Sequence, residues 1–216
     1  MSTDTEREKQ LAAEAAAARV EDGMTVGLGT GSTVAYFLPP LAARNLDLRC
    51  VATSPATRSA ALEVGLEVVA FGGSDPLTVD LAVDGADQVA PDAWVVKGGG
   101  GAHTREKIVA AAADRFLVIV SSDKLVERIR APVPLELLRF GLAATLAKLG
   151  EARLRDAPST PDGGVLADWV GPVDDPAELA ARLAATPGVV EHGLFAPDLV
   201  SEILVGRGES VERRPG

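Results

Sequence analysis

Short apolar, β-branched runs alternate with helix-forming segments through the first 130 residues, and this alternation constrains the fold most. Runs at 24–28, 48–52, 66–71, 79–83, 93–96 and 116–120 are too short for helices and are followed by Gly, Thr, Asp, Lys or Ser. Between them lie an Ala-rich helix at 4–20 closed by Gly23, a helix from Ser32, one at 55–64 capped by Thr53-Ser54-Pro55, and one at 104–113. Thr3 and Glu6 carry the spacing of a capping box before the first of these. Pro39-Pro40 should stop or kink the second helix early, because proline lacks the N–H that the helix needs. Strand–helix repetition of this kind builds a mostly parallel sheet with helices on both faces, an α/β doubly wound architecture.

Such sheets bind ligands beyond the carboxyl ends of their strands, and the polar clusters of this chain fall there. Lys97 closes one run and is followed by Gly98, Gly99, Gly100 and Gly101. Glycines add nothing to packing and lose the most entropy on folding, so four in a row serve close backbone approach. Glu106 then falls in the first turn of a helix, where the helix dipole favours a carboxylate in any case. Gly29-Thr30-Gly31-Ser32-Thr33 forms a strand–turn–helix cradle. Ser32 stands where a dinucleotide fingerprint needs Gly, and no P-loop Lys is present, so the hydroxyl-rich turn suits a small phosphate monoester. A tight turn with a Ser N-cap is the plainer alternative. Asp84-Gly85-Ala86-Asp87 sets two carboxylates at a strand end, either for cation and proton handling or as an Asx-type turn. Lys124 follows Ser122-Asp123 after another strand, and Lys9 lies on the first helix; locally each reads as a solvated charge.

The formal net charge of −10 disfavours nucleic acid, which demands clustered cations. One cysteine, Cys50, precludes an intramolecular disulfide and suits a reducing compartment. The first ten residues are polar, no run approaches a membrane span, and only His103 and His192 are present. A cytoplasmic protein with no membrane partner and no His-rich metal site is expected.

The pattern changes at Ala131-Pro132-Val133-Pro134. A β segment at 133–137, a helix at 139–149, strands at 152–155 and 165–170, a helix at 176–185 and a strand at 189–194 suggest a smaller ferredoxin-like α+β domain. The run 199–205 should rejoin the first sheet, and 209–216 reads as a frayed tail. The expected domains are therefore 1–130 plus 198–216, and 131–197.

Taken together, these segments resemble the ribose-5-phosphate isomerases of type A. The resemblance rests on Gly29-Thr30-Gly31-Ser32-Thr33, Asp84-Gly85-Ala86-Asp87, Lys97-Gly98-Gly99-Gly100, Arg105-Glu106-Lys107 and Ser122-Asp123-Lys124. Val133-Pro134-Leu135-Glu136 and the segment from Pro187 to Phe195 extend it. It implies a core like that of sugar-phosphate deaminases and coenzyme A transferases, and interconversion of ribose 5-phosphate and ribulose 5-phosphate without metal or cofactor. It implies Glu106 as catalytic base. Lys9, Thr30, Gly31, Ser32, Thr33, Asp84, Gly85, Ala86, Asp87, Lys97, Gly98, Gly99, Gly100 and Lys124 would form the sugar-phosphate site. The same chemistry asks Lys97 and loop N–H groups to hold an enediolate and Asp84 or Asp87 to move hydroxyl protons. A homodimer, or a tetramer, with the small domain at a subunit contact is also implied. Gln88 and the turn Asp162-Gly163-Gly164-Val165 depart from the pattern of many relatives. Two other classes fit the same residues: a sugar-phosphate sensor without turnover, and a Mg²⁺ enzyme using Asp84, Asp87 and Glu106, against which Lys97 argues.

Overall fold

The computed structural model describes residues 3–73 and 77–216. The Thr3 side chain lies outside that description, and so does the capping box expected with Glu6. In chain order the elements are α1 (Thr3–Ala17), β1 (Thr25–Leu28), α2 (Ser32–Ala42), β2 (Arg49–Ala52), α3 (Pro55–Glu63), β3 (Val79–Asp84), β4 (Gln88–Val89), β5 (Val95–Val96), α4 (His103–Ala112) and β6 (Ala113–Ser121). There follow β7 (Val133–Leu137), α5 (Leu142–Leu149), β8 (Ala152–Leu154), β9 (Val165–Trp169), α6 (Pro176–Ala184), β10 (Val189–His192), β11 (Leu194–Phe195), β12 (Glu202–Arg207) and β13 (Ser210–Pro215).

A six-stranded sheet runs β13-β12-β6-β3-β1-β2, parallel throughout except for the β12–β13 hairpin. The alanine face of α1 (Ala12, Ala13, Ala16) packs with Phe37 and Leu41 of α2 against Leu28, Leu81, Leu117 and Leu204 on one side. Val109 and Ala110 of α4 join Ala82, Val118 and Val205 on the other. A four-stranded antiparallel sheet, β10-β7-β9-β8, carries α5 and α6 and has the strand order of a ferredoxin-like unit.

Several expectations need correction. The run 93–96 does not enter the parallel sheet. Its Val95–Val96 pairs antiparallel with β4 and β11 in a separate three-stranded sheet, so the glycine loop is carried beside the main sheet. The run expected at 189–194 splits at Gly193, whose N–H donates to Pro134 O and whose carbonyl accepts from Lys97 N at 2.9 Å. Its two halves thus serve different sheets. The run 66–71 makes only the bridge Cys50–Val68, because the four-residue β2 offers little ladder to extend. The tail read as frayed is the edge strand β13; its Glu212, Arg213 and Arg214, with Pro215 at the end, are what an exposed edge tolerates. The strand expected at 199–205 is β12 and begins only at Glu202, since 197–199 form a 3-10 turn. α5 begins only at Leu142, after Gly141 in the left-handed region.

Pro39 and Pro40 do not stop α2, which continues to Ala42. Proline inside a helix costs about 3 kcal/mol each. Burial of Phe37, Leu38 and Leu41, at about 1.5–3 kcal/mol apiece, offsets that loss.

Candidate active site

Adjacent parallel strands bring their carboxyl ends side by side. β1 delivers Gly29 to Thr33, β3 delivers Asp84 to Asp87, and β6 leads into a 3-10 turn, Ser122–Lys124. α1 crosses beside them with Lys9, and the three-stranded sheet adds Lys97 and the glycine loop. α4 begins just after that loop and supplies Glu106. These segments enclose a cavity of about 150 Å³. Every residue lining it is one singled out from the sequence, from Lys9 through Lys124. Asp84 alone of that set stands behind the wall.

At the floor Lys97 is only 2% exposed, Asp84 3% and Glu106 5%. The Lys97 Nζ lies 2.8 Å from Asp84 Oδ2 and 3.2 Å from Glu106 Oε2, and donates to Gly85 O at 2.6 Å. Asp84 Oδ1 accepts from Gly85 N at 2.7 Å and Thr30 N at 3.1 Å. A Cβ on Gly29 would overlap the Asp84 carboxyl, so only glycine fits there. Asp87 faces the cavity and accepts from Gly99 N at 2.7 Å.

One ammonium cannot neutralise two buried carboxylates, and the excess negative charge decides the protonation. Burial, then the Asp84 charge, pushes the Glu106 carboxyl up to about 8, against the pull of Lys97. Burial alone would lower Lys97, but the carboxylates of Asp84 and Glu106 outweigh it and hold its ammonium protonated above the usual range. Glu106 Oε2 is buried with no aligned hydrogen-bond donor among the described residues. It is therefore a carboxyl kept near neutral pKa and tied only loosely to Lys97, the property a general base requires.

Across the cavity, α2 starts after Gly31 with no side-chain cap. Its first-turn N–H groups are thus left for an anion. Lys9 is buried and donates to Ser32 Oγ at 3.0 Å, and is no solvated charge. Lys124 pairs with Asp123 at 3.2 Å on the rim. Among the described residues no group of three or more His, Cys, Asp or Glu side chains could hold a metal ion. Lys97 Nζ occupies the place between Asp84 and Glu106.

Sequence reasoning missed the supports. Thr57 Oγ1 donates to Gly29 O at 2.8 Å, and Thr53 Oγ1 lies 2.8 Å from Thr30 Oγ1, so α3 and the residues before it brace the turn 29–33. Glu8 ties α1 to the Ser122 N–H and hydroxyl and to Gly208 N. Phe195 carries Lys97 and Lys107 at 5.6 and 5.0 Å from its ring centre. No local pattern flags these residues, because each acts on a segment far away in the chain. Gln88 points away from the cavity, bonded to Arg130 on both its amide atoms. A larger hollow of about 540 Å³ lies on the far side of α4. Its one deeply buried charge, Glu136, is already held by Thr104 and Thr160.

Residues 49–210 match the family model described as ribose 5-phosphate isomerase A (phosphoriboisomerase A). The chain belongs to this family. It is 44% identical to ribose-5-phosphate isomerase A of Caulobacter vibrioides, with 99% of each chain covered. It is 43% identical to the isomerase of Natronomonas pharaonis, again with 99% of each covered. Among solved structures, a D-ribose-5-phosphate isomerase in complex with phospho-erythronic acid aligns with a TM-score of 0.92 at 34% identity, covering 99% of this chain and all of that one. The Neisseria gonorrhoeae isomerase aligns with a TM-score of 0.92 at 30% identity, covering 100% and 98%. Membership in this isomerase family makes the chain an enzyme of ribose 5-phosphate isomerisation and leaves the sensor reading unsupported.

Proposed function

We infer that this cavity carries out the aldose–ketose interconversion of D-ribose 5-phosphate and D-ribulose 5-phosphate, with Glu106 as the base. The observation that carries the assignment is the Lys97–Asp84–Glu106 cluster, whose single cation leaves Glu106 near neutral pKa at the cavity wall. Glu106 takes the proton on C2 of the open-chain aldose. Charge moves onto the C1 oxygen as the enediolate forms, and Lys97 with the glycine-loop N–H groups stabilises it; each such donor is worth about 3–4 kcal/mol when preorganised. Asp87, which faces the cavity, passes the C2 hydroxyl proton to the C1 oxygen. Protonated Glu106 then returns its proton to C1, giving the ketose.

The phosphate, with about −1.5 to −2 charges, sits on the first turn of α2, with Lys9 and Lys124 as its local cations. Two lysines suffice even in a chain of net charge −10. The reading extends to a cytoplasmic homodimer and to domains at 1–130 plus 198–216 and 131–197. Support for a subunit contact on the small domain is the 92% exposed Phe140 beside half-exposed Leu138. Among the described residues no helix is long and apolar enough to cross a membrane. The deciding experiment is a coupled assay of the purified protein with ribose 5-phosphate, with and without excess chelator. Turnover unaffected by chelator is expected; turnover abolished by chelator and restored by Mg²⁺ overturns the Lys97-based mechanism.

A further inference from the structure

Arg155 lies outside the cavity and follows β8 in the small domain, yet it is bonded to the cavity wall. Its Nη1 donates to Gly98 O at 2.8 Å and to Gly99 O at 3.3 Å. The rest of the guanidinium is held by Asp168 of β9, with Nε–Oδ2 at 2.8 Å and Nη2–Oδ1 at 2.5 Å. A bidentate pair of this kind fixes the plane of the guanidinium as well as its position. Within the loop the only backbone bond among the described residues is Gly101 N to Gly98 O at 3.0 Å, which leaves the Gly99 carbonyl to Arg155. Gly98 has φ +104°, and a Cβ there would come within 2.6 Å of His103 Nδ1. No side chain within 98–101 restrains the peptides.

A trans peptide points its N–H opposite to its C=O. Holding Gly98 O toward Arg155 therefore turns the N–H of Gly99 the other way, and that N–H meets Asp87 Oδ2 at 2.7 Å. Holding Gly99 O turns the N–H of Gly100 the same way. Gly100 lines the cavity, and its N–H has no acceptor among the described residues. A cation on the oxygen side also polarises both peptides and makes their N–H groups better donors.

We propose that Arg155, set by Asp168, is a positioning residue for the isomerisation: it orients the Gly99 and Gly100 peptides so that one N–H fixes Asp87 and the other donates to the enediolate oxygen. Its action is on the transition state, through backbone donors, and it touches no substrate. The small domain thereby completes the oxyanion site of the large one. The inference rests on the reading of the cavity as the enediolate site.

The test compares wild type with Arg155→Gln, Arg155→Lys, Asp168→Asn and Glu106→Gln, measuring kcat, KM and inhibition by phospho-erythronic acid, whose planar carboxylate mimics the two enediolate oxygens. Losing one preorganised donor costs about 10²–10³-fold in rate. Arg155→Gln is expected to lower kcat about 100-fold with KM within about threefold, and to weaken the inhibitor by a similar factor. Arg155→Lys, which reaches a carbonyl without the fork, should recover part of the loss. Asp168→Asn, which keeps the guanidinium, should lose about tenfold. A purely structural clamp would lower the melting temperature of Arg155→Gln and leave kcat and inhibition unchanged, and that result overturns the proposal. An unfolded Arg155→Gln passes the decision to Asp168→Asn, where wild-type kcat and inhibition likewise overturn it. If Glu106→Gln keeps wild-type turnover, the reading of the cavity itself fails; if Glu106→Gln is dead while the Arg155 and Asp168 variants are wild-type, only the positioning role fails.

Discussion

Replacing Glu106 by Gln separates its chemistry from its cost to the fold. Gln keeps the shape and removes the charge. In the folded protein the carboxyl is pushed up to about 8, against an ordinary value of 4.5. Between those two values the folded state binds the proton that the unfolded chain has released. Stability attributable to Glu106 is thus unaffected below the unfolded value, and it falls as pH rises toward 8. Over about 3.5 pH units, at about 1.4 kcal/mol each, the loss amounts to about 5 kcal/mol. The Gln variant escapes this penalty. It should match wild type near pH 4.5 and gain stability relative to it progressively up to pH 8. Turnover should move in the opposite sense. Removing a general base costs about 10²–10⁴-fold, so kcat should drop about 10³-fold with little change in KM. Wild-type kcat/KM should rise with pH, reach half its limit near 8 and level off about one unit above, where the base is ionised. Denaturant melts of both proteins from pH 5 to 9, paired with the coupled assay, measure both effects. A stability gap that stays flat across that range refutes the electrostatic reasoning, and wild-type turnover by the Gln variant removes Glu106 from the base role.

Thr33 sits in the first turn of α2 at the proposed phosphate seat, so Thr33→Ala should raise KM for ribose 5-phosphate several-fold with smaller change in kcat; an unchanged KM puts the phosphate elsewhere. The exposed Phe140 on the small domain predicts a dimer by light scattering that Phe140→Asp weakens; a wild-type monomer at micromolar concentration ends that reading.

Much of the core was legible because its signals are local. β1, β3 and β6 are apolar runs ending in Gly or a polar cluster, and the ferredoxin-like unit shows in strand and helix periods. Most of the residues lining the cavity were legible for the same reason, lying in short motifs at or just after a strand end. Other features depended on distant partners. The charges of β13 look like those of a solvated tail until β12 supplies a ladder. The two prolines of α2 look like a stop until the α1 face buries the turn around them. Lys9 looks like a surface charge until the turn bearing Ser32 folds over it.

The sequence by itself determined the alternating elements, the glycine loop and the identity of the chemical groups, because propensity, turn residues and spacing act over a few positions. Only the tertiary structure decided what state those groups are in. One ammonium buried between two carboxylates leaves a negative charge that the low-dielectric floor resists, and that resistance carries Glu106 to about 8. Arg155 acquires its grip on Gly98 and Gly99 in the same way, since residues more than fifty positions apart meet only when the two sheets pack together.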